Sequence, residues 1–247
     1  PPAMQALATL MQPGALQALF QAAPQAAVAG WIQQVVRQWP AVGQVTADSL
    51  RRLMRQGGWT QESGLARGES APGPDMKSLL RLLVSEWTQA PSATRTLLRE
   101  ALDDIESRQL QAAVELQAGR DIALSMLLPM ADTEPMEVRW SRAPEDGADG
   151  RRAPWVVQLH TRSSVFGEVW LQTRISESTQ VDLVMWAEQA DLAARARAAG
   201  PSLAAWLSEA GLRMTGLQVI HGSRPALEAD APLGPGLGAG RLVDLQA

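Results

Sequence analysis

The chain has no cysteine and only two histidines, His160 and His221, among its 247 residues. Without thiols there is no disulfide framework, no thiolate zinc site and no cysteine nucleophile, and pairing says nothing about the redox compartment. The two histidines lie far apart in sequence, and no local spacing supplies the further ligands that a metal site needs. An excess of positive charge is missing as well: 22 Lys and Arg against 26 Asp and Glu leave a formal charge of -4. With no basic stripe to release counterions from a phosphate backbone, the sequence argues against nucleic acid as a partner. The apolar runs are too short and too often interrupted to cross a bilayer, so no membrane span is expected.

What is present is an apolar-rich chain punctuated by 16 prolines and 20 glycines, long enough to bury a sizeable core and read here as two modest domains. It begins at Pro1 rather than Met, as expected of a fragment or a processed form whose targeting segment has been cut away. Residues 1–30 are biased to Ala, Gln and Pro. Leu16, Leu19, Phe20 and Ala23 have helical spacing, but Pro13 and Pro24 limit that segment to about three turns. Two readings stay open for it, a linker or a weakly docked helix.

Residues 31–120 read as a helical region. Ile32, Val35, Val36 and Trp39 share one face of a helix that Pro40 stops. A second helix is capped by Thr46 or Asp48, carries Leu50, Leu53 and Met54, and ends at Gly57-Gly58. A helix-turn-helix DNA reader is the alternative for this pair, and the acidic balance disfavours it. A third helix starts at Asp75 or Ser78 with Leu79, Leu82, Leu83 and Trp87 inward. Ser92 then caps a longer one, reaching about Ala118, with Leu98, Leu102, Ile105, Ala112 and Leu116 inward.

After Gly119 the period changes. "IALSMLLPM" and "PMEVRW" read as strands around a turn at residues 132–135, followed by a polar, Gly-rich loop. From Pro154 onward three runs alternate: Trp155, Val157, Leu159 and Thr161; Val169, Leu171, Thr173 and Ile175; Val181, Leu183, Met185 and Ala187. Keeping these odd positions on one face requires an odd loop in each hairpin. That rule pairs Ile175 with Val181, Arg174 with Asp182 and Trp170 with Trp186. A first hairpin centred near Val165 likewise sets His160 opposite Trp170 and Val156 opposite Arg174. Helical segments follow at residues 189–199 and 202–210, broken at Gly200-Pro201, and Leu217, Val219 and His221 mark a last strand.

The expectation is therefore an α+β fold, with an amino-terminal helical layer and a mainly antiparallel sheet whose odd-numbered face is covered by a kinked helix pair. The α+β unit spans residues 121–222, and residues 223–247 read as a flexible tail.

The even-numbered face carries His160, Trp170, Val184 and Trp186 beside Glu168, Gln172 and Arg174, too apolar a set for a face left wholly in water. Either the amino-terminal helices pack on it, or it binds a partner through its tryptophans. A catalytic centre is harder to assemble. Glu100, Asp103 and Asp104 read as a solvated helix face or as ion pairs with Arg99 and Arg108. Ser163-Ser164 has no base nearby, and "GLGAG" near the carboxyl end lacks a strand-to-helix context. Arg151 and Arg152, with Arg174, form a candidate site for an anionic ligand, because guanidinium forks suit phosphates. No catalytic residue, metal or cofactor is expected.

The stretch "FGEVWLQTRISESTQVDLVMWAEQADLAARARAAGPSLAAWLSEAGLRMTGLQVIHG" runs strand, strand, acidic-aromatic end, helix, Leu-rich helix, Ala-Gly-Leu, strand. It resembles the carboxy-terminal domain of bacterial flagellar hook-length control proteins at Phe166-Gly167, Val169, Leu171, residues 181–188, Leu207, Ala210-Gly211-Leu212 and Val219. Upstream, "LRRLMRQGGWTQESGLARG" and "LLREALDDIESRQLQAAVEL" are similar to helical regions in relatives of that family, so the likeness covers residues 45–222. The resemblance implies a non-enzymatic protein of the flagellar type III export system, acting in the bacterial cytoplasm and itself open to export. Its implied partner is the cytoplasmic domain of the export-gate switch protein, and its implied role a change from rod and hook substrates to filament substrates. Partner contact is then expected at Val165, Phe166 and Gly167 and at His160, Trp170 and Trp186. One departure stands out: Ser163-Ser164-Val165-Phe166-Gly167 replaces a Pro-containing turn that ends in Leu-Gly. The alternative reading is a divergent regulatory or adaptor module on the same fold, taking a small anionic ligand near Arg151 and Arg152.

Overall fold

A computed structural model of the chain describes residues 4–22, 26–56, 75–117, 122–142, 153–163, 166–177 and 179–225. Helices α1 (Gln5–Leu10), α2 (Ala15–Ala22), α3 (Ala26–Val36), α4 (Ala47–Gln56), α5 (Met76–Glu86) and α6 (Ser92–Gln117) precede the first strand. The sheet comprises β1 (Ile122–Leu128), β2 (Met136–Arg142), β3 (Trp155–Ser163), β4 (Gly167–Ser176), β5 (Gln180–Ala187) and β6 (Arg213–His221). Helices α7 (Ala190–Ala198) and α8 (Gly200–Glu209) lie between β5 and β6. The fold is α+β, with helices packed on a six-stranded, mostly antiparallel sheet.

Local chemistry sets the helix starts. The Thr46 hydroxyl accepts from the Ser49 amide at 3.1 Å while the Ser49 hydroxyl accepts from the Thr46 amide at 2.8 Å. This reciprocal pairing makes Thr46 the cap of α4, and Asp48 turns outward to Arg51. Asp75 caps α5 by accepting from the Ser78 amide at 2.6 Å.

Residues 4–22 are not a linker. Leu7, Leu10 and Leu16 are buried, and the Leu7 amide donates to Asp104 Oδ2 at 3.1 Å, tethering α1 to α6. Asp104, expected on a solvated or ion-paired face, instead holds α1 in place. Arg108 is buried and donates to Ser125 Oγ at 2.6 Å, joining α6 to β1. A single core cluster runs from Met4 through Leu79, Leu80, Leu83 and Ile105 to Met126 and Val138. The helical region and the first two strands thus share one interior across residue 120.

The strands follow the order β1-β2-β3-β4-β5-β6. Antiparallel pairing holds from β1 to β5, and the α7–α8 crossover brings β6 in parallel to β5. The register is the one the alternation requires: Ile175 opposite Val181, Arg174 opposite Asp182, Trp170 opposite Trp186, His160 opposite Trp170 and Val156 opposite Arg174. Both helices of the crossover sit on the odd-numbered side of β5 and β6. The chain passes so close there that a Cβ on Gly200 would meet Leu217 Cδ2 at 3.1 Å. Pro201 follows in the first turn of α8, where its missing N–H costs nothing.

The amino-terminal helices do not pack on the even-numbered face of β3–β6. Val157 and Leu159, both odd, adjoin the amino-terminal core together with Trp140 and Val138, their partners on β2. Every long aliphatic row of the sheet lies on that side, and the crossover helices bury it at β5 and β6; at β1 the amino-terminal group closes over both sides, since Leu127 and Ser125, which share the even-numbered side, are buried as well. The closest helical packing falls on β1 at one end and on β5 and β6 at the other. Between them Leu171 of β4, at the centre of the odd set, is only half-buried.

Leu80→Ala is expected to cost about 2–5 kcal/mol, because the side chain is buried at the centre of the shared core. Helix and sheet signals should melt together at the lower temperature. A sheet transition left at the wild-type temperature would show two independent cores instead.

Candidate functional site

Register lines up one row of side chains across the whole sheet on the side away from the crossover helices. Leu127, Glu137, His160, Trp170, Trp186 and Ile220 each lie opposite the next, from β1 to β6. Directly opposed side chains in such a ladder are within contact range. The His160 ring stacks on Trp170 with centroids 4.0 Å apart and planes 16° from parallel. Its Nε2 lies 2.9 Å from Glu168 Oε1 and its Nδ1 3.9 Å from Glu137 Oε2. Carboxylates therefore flank both ring nitrogens and fix the ring against the indole.

Glu168 is the hub of this cluster, since Arg162 Nη2 also donates to its Oε1 at 3.2 Å. Partial burial pushes the Glu168 carboxyl upward. The hydrogen bond and charge of His160, with the Arg162 guanidinium, outweigh burial and hold the group below the usual carboxylate range.

The hairpin end is pinned to the same cluster. Gly167 has φ +68, and a Cβ there would stand 2.9 Å from Glu188 Oε2. That oxygen accepts from the Glu168 amide at 3.1 Å, while the Glu188 amide donates to the Glu168 carbonyl at 3.1 Å. The result is a clasp between the start of β4 and the end of β5. Phe166 sits half-buried in the turn beside it.

The remaining even positions mix polar residues with Val156, which is buried, and Val184, which is half-buried. Gln158 Nε2 donates to Gln172 Oε1 at 3.3 Å, and beyond that row Arg174 faces Asp182, whose Oδ1 accepts from Thr215 Oγ1 at 2.7 Å.

A further residue completes the site. Gly222 leaves β6 with φ +132, and its amide donates to the Ala187 carbonyl at 2.9 Å. Two residues later the Arg224 guanidinium carbon lies 4.8 Å from the Trp170 ring centroid and 5.7 Å from that of Trp186. Both distances fall within cation–π range. Trp186 is buried and Trp170 half-buried. The region read as a flexible tail from residue 223 thus begins with a segment placed on the even face.

Of the residues expected to form a site, His160, Trp170 and Trp186 come together as neighbours in one row, and Phe166 and Gly167 lie at the adjoining hairpin end. Val165, Arg151 and Arg152 lie outside the described residues, as does the "GLGAG" motif. Arg174 is separated from the tryptophans by the glutamine row, and Asp182 lies directly across from it. Glu137 and Arg224 were not anticipated. A tryptophan pair on adjacent strands was the available signal, because such a pair suits a cation from a neighbouring strand or terminus.

Among the described residues no group of three or more His, Cys, Asp or Glu is placed to hold a metal ion. No described helix is long and apolar enough to cross a membrane. In comparisons with known proteins, the chain matches no family model, no curated protein and no solved structure. What the face offers chemically is an aromatic surface edged by carboxylates, suited to cationic and apolar groups of another molecule.

Two outcomes test this geometry. Gly167→Ala should destabilise the protein by about 1–2 kcal/mol, from left-handed backbone strain alone, and more if the Glu188 clasp opens; an unchanged melting temperature would contradict the clasp. For Glu168 the sign follows from its lowered folded-state value. The stability it contributes is complete above the unfolded carboxylate range and is lost as pH falls through the folded value. Melting temperatures measured on acidification through and below that range should therefore fall more steeply for the wild type than for Glu168→Gln, and parallel curves would refute the pairing.

Proposed function

We propose that this chain is a non-enzymatic protein of flagellar assembly that binds the cytoplasmic domain of the type III export-gate switch protein and so changes which substrates are exported. The observation that carries the reading is the His160–Trp170–Trp186 row, an aromatic surface on the sheet face that the core helices leave outside. Tryptophans and histidine framed by carboxylates make an anchor set for a protein, in which a few large side chains carry most of the affinity. The order β4, β5, α7, α8, β6 also follows the strand, strand, helix, helix, strand sequence of the hook-length control domain.

On this reading the partner docks at the hairpin end, Phe166 and Gly167, and on the adjoining row. A small anionic ligand at Arg174 is less favoured, because Asp182 opposite offsets its charge. On this reading the protein works in the bacterial cytoplasm before any export of its own.

Calorimetric titration of the chain with the purified switch-protein domain tests the assignment. Phe166→Asp should weaken binding at least about tenfold, or ~1.4 kcal/mol, with the melting temperature preserved. Undiminished binding by the variant would remove the hairpin end from the interface. Absence of binding by folded wild-type chain would reject the partner.

A further inference from the structure

Nothing in the strand pattern requires Arg224 to lie where it does. The sheet ends at His221, yet the chain continues onto the even face and sets a guanidinium over two indoles on neighbouring strands. The platform under it is built rather than incidental. Trp170 is opposite Trp186, and on its other side Trp170 is backed by the stacked His160 ring. His160 is in turn held between Glu168 and Glu137. Glu168 and Trp170 project from the same face of β4, so the aromatic surface carries negative charge along one side.

A planar, weakly hydrated cation suits such a surface better than an ammonium, because it can lie flat on an indole while its N–H groups point to the rim. Charge complementarity and a seated occupant therefore specify the same ligand.

We propose that Trp170 and Trp186 form a guanidinium-binding platform, occupied in cis by Arg224, which takes an arginine side chain of a protein partner when the segment after β6 leaves. The inference rests on the reading of the even face as a docking surface, but not on which protein docks there. Gly222 is the hinge point, since φ +132 is open to glycine and strained for other residues. A cis arginine on so short a tether competes at an effective concentration in the millimolar range, so it weakens every trans arginine without closing the site. The segment thus acts as a built-in competitor that only a partner offering further contacts can displace.

The test uses the full chain and two small probes, N-acetyl-arginine amide and N-acetyl-lysine amide. The indole N–H resonances of Trp170 and Trp186 are assigned through Trp170→Phe and Trp186→Phe. In Arg224→Ala the arginine probe should shift both resonances saturably, with a midpoint about tenfold lower than in the wild type, the size expected for losing one cation–π competitor. The lysine probe should shift them less. Arg224→Lys keeps the charge and the aliphatic stem, serves as a second folded variant should Arg224→Ala lose stability, and is expected to give an intermediate midpoint. The proposal is overturned if the arginine probe leaves both indoles unmoved in the variants. Equal midpoints in wild type and variants, or equal response to the lysine probe, would overturn it as well. None of these outcomes depends on the switch-protein domain, so a failure here is distinct from a failure of the export assignment.

Discussion

Because successive residues of a strand face opposite sides of the sheet, a slip of one residue between β4 and β5 would exchange every buried side chain of that pair for an exposed one. The pairings that forbid it are direct: Ile175 against Val181 and Leu183 against Thr173 on one side, Trp170 against Trp186 and Arg174 against Asp182 on the other. The clasp at the far end, where Glu188 accepts from the Glu168 amide and donates back to its carbonyl, holds the same alignment. Core and candidate site are thus two consequences of one register. Any change that moved the tryptophans off their row would also lift Val181 and Leu183 out of the interior.

The placement of the helices follows from that division. The long aliphatic rows lie on one side of the sheet, and a helix gains more by covering them than by covering a face that alternates glutamine, arginine and aromatic rows. Two helical groups reach the sheet from opposite edges, the amino-terminal one closing over both sides of β1 and the crossover pair over the odd-numbered side alone. The amino-terminal group enters at β1 through the Arg108–Ser125 hydrogen bond and the shared core, and α7 with α8 covers β5 and β6. Their separation leaves Leu171 half-covered on β4. The opposite face from β3 to β6 stays outside that core cluster, with His160 and Trp170 half-buried beside buried Trp186.

How much of this could be read beforehand depends on the range of the interaction. Alternation with an odd loop was enough to pair Trp170 with Trp186 and His160 with Trp170, because hairpin register is local. Thr46 and Asp48 were equivalent as caps until Ser49 was considered, and its hydroxyl decides the matter from three positions away. The tether from Asp104 to the Leu7 amide spans 97 residues and leaves no periodic trace. Alternation likewise names two apolar faces without saying which one the distant helices choose. Arg224 was hidden by its neighbourhood, where glycine and proline imply a loose tail.

An aromatic row on a sheet face that the described core helices leave outside poses a problem of its own, since an apolar patch invites association with any similar surface. Here a cation lies over the row, flanked by two carboxylates that also orient His160. That cover differs in kind from a helix packed on the same residues. A helix would desolvate the tryptophans over a broad area and could be removed only with the core. A single guanidinium on a short segment covers the two indoles alone, so a partner's side chain can take its place on them while the core stays packed. The same residues can therefore be shielded in the free protein and still serve as anchors, provided the cover is a side chain of the segment after β6 and not an element of the core.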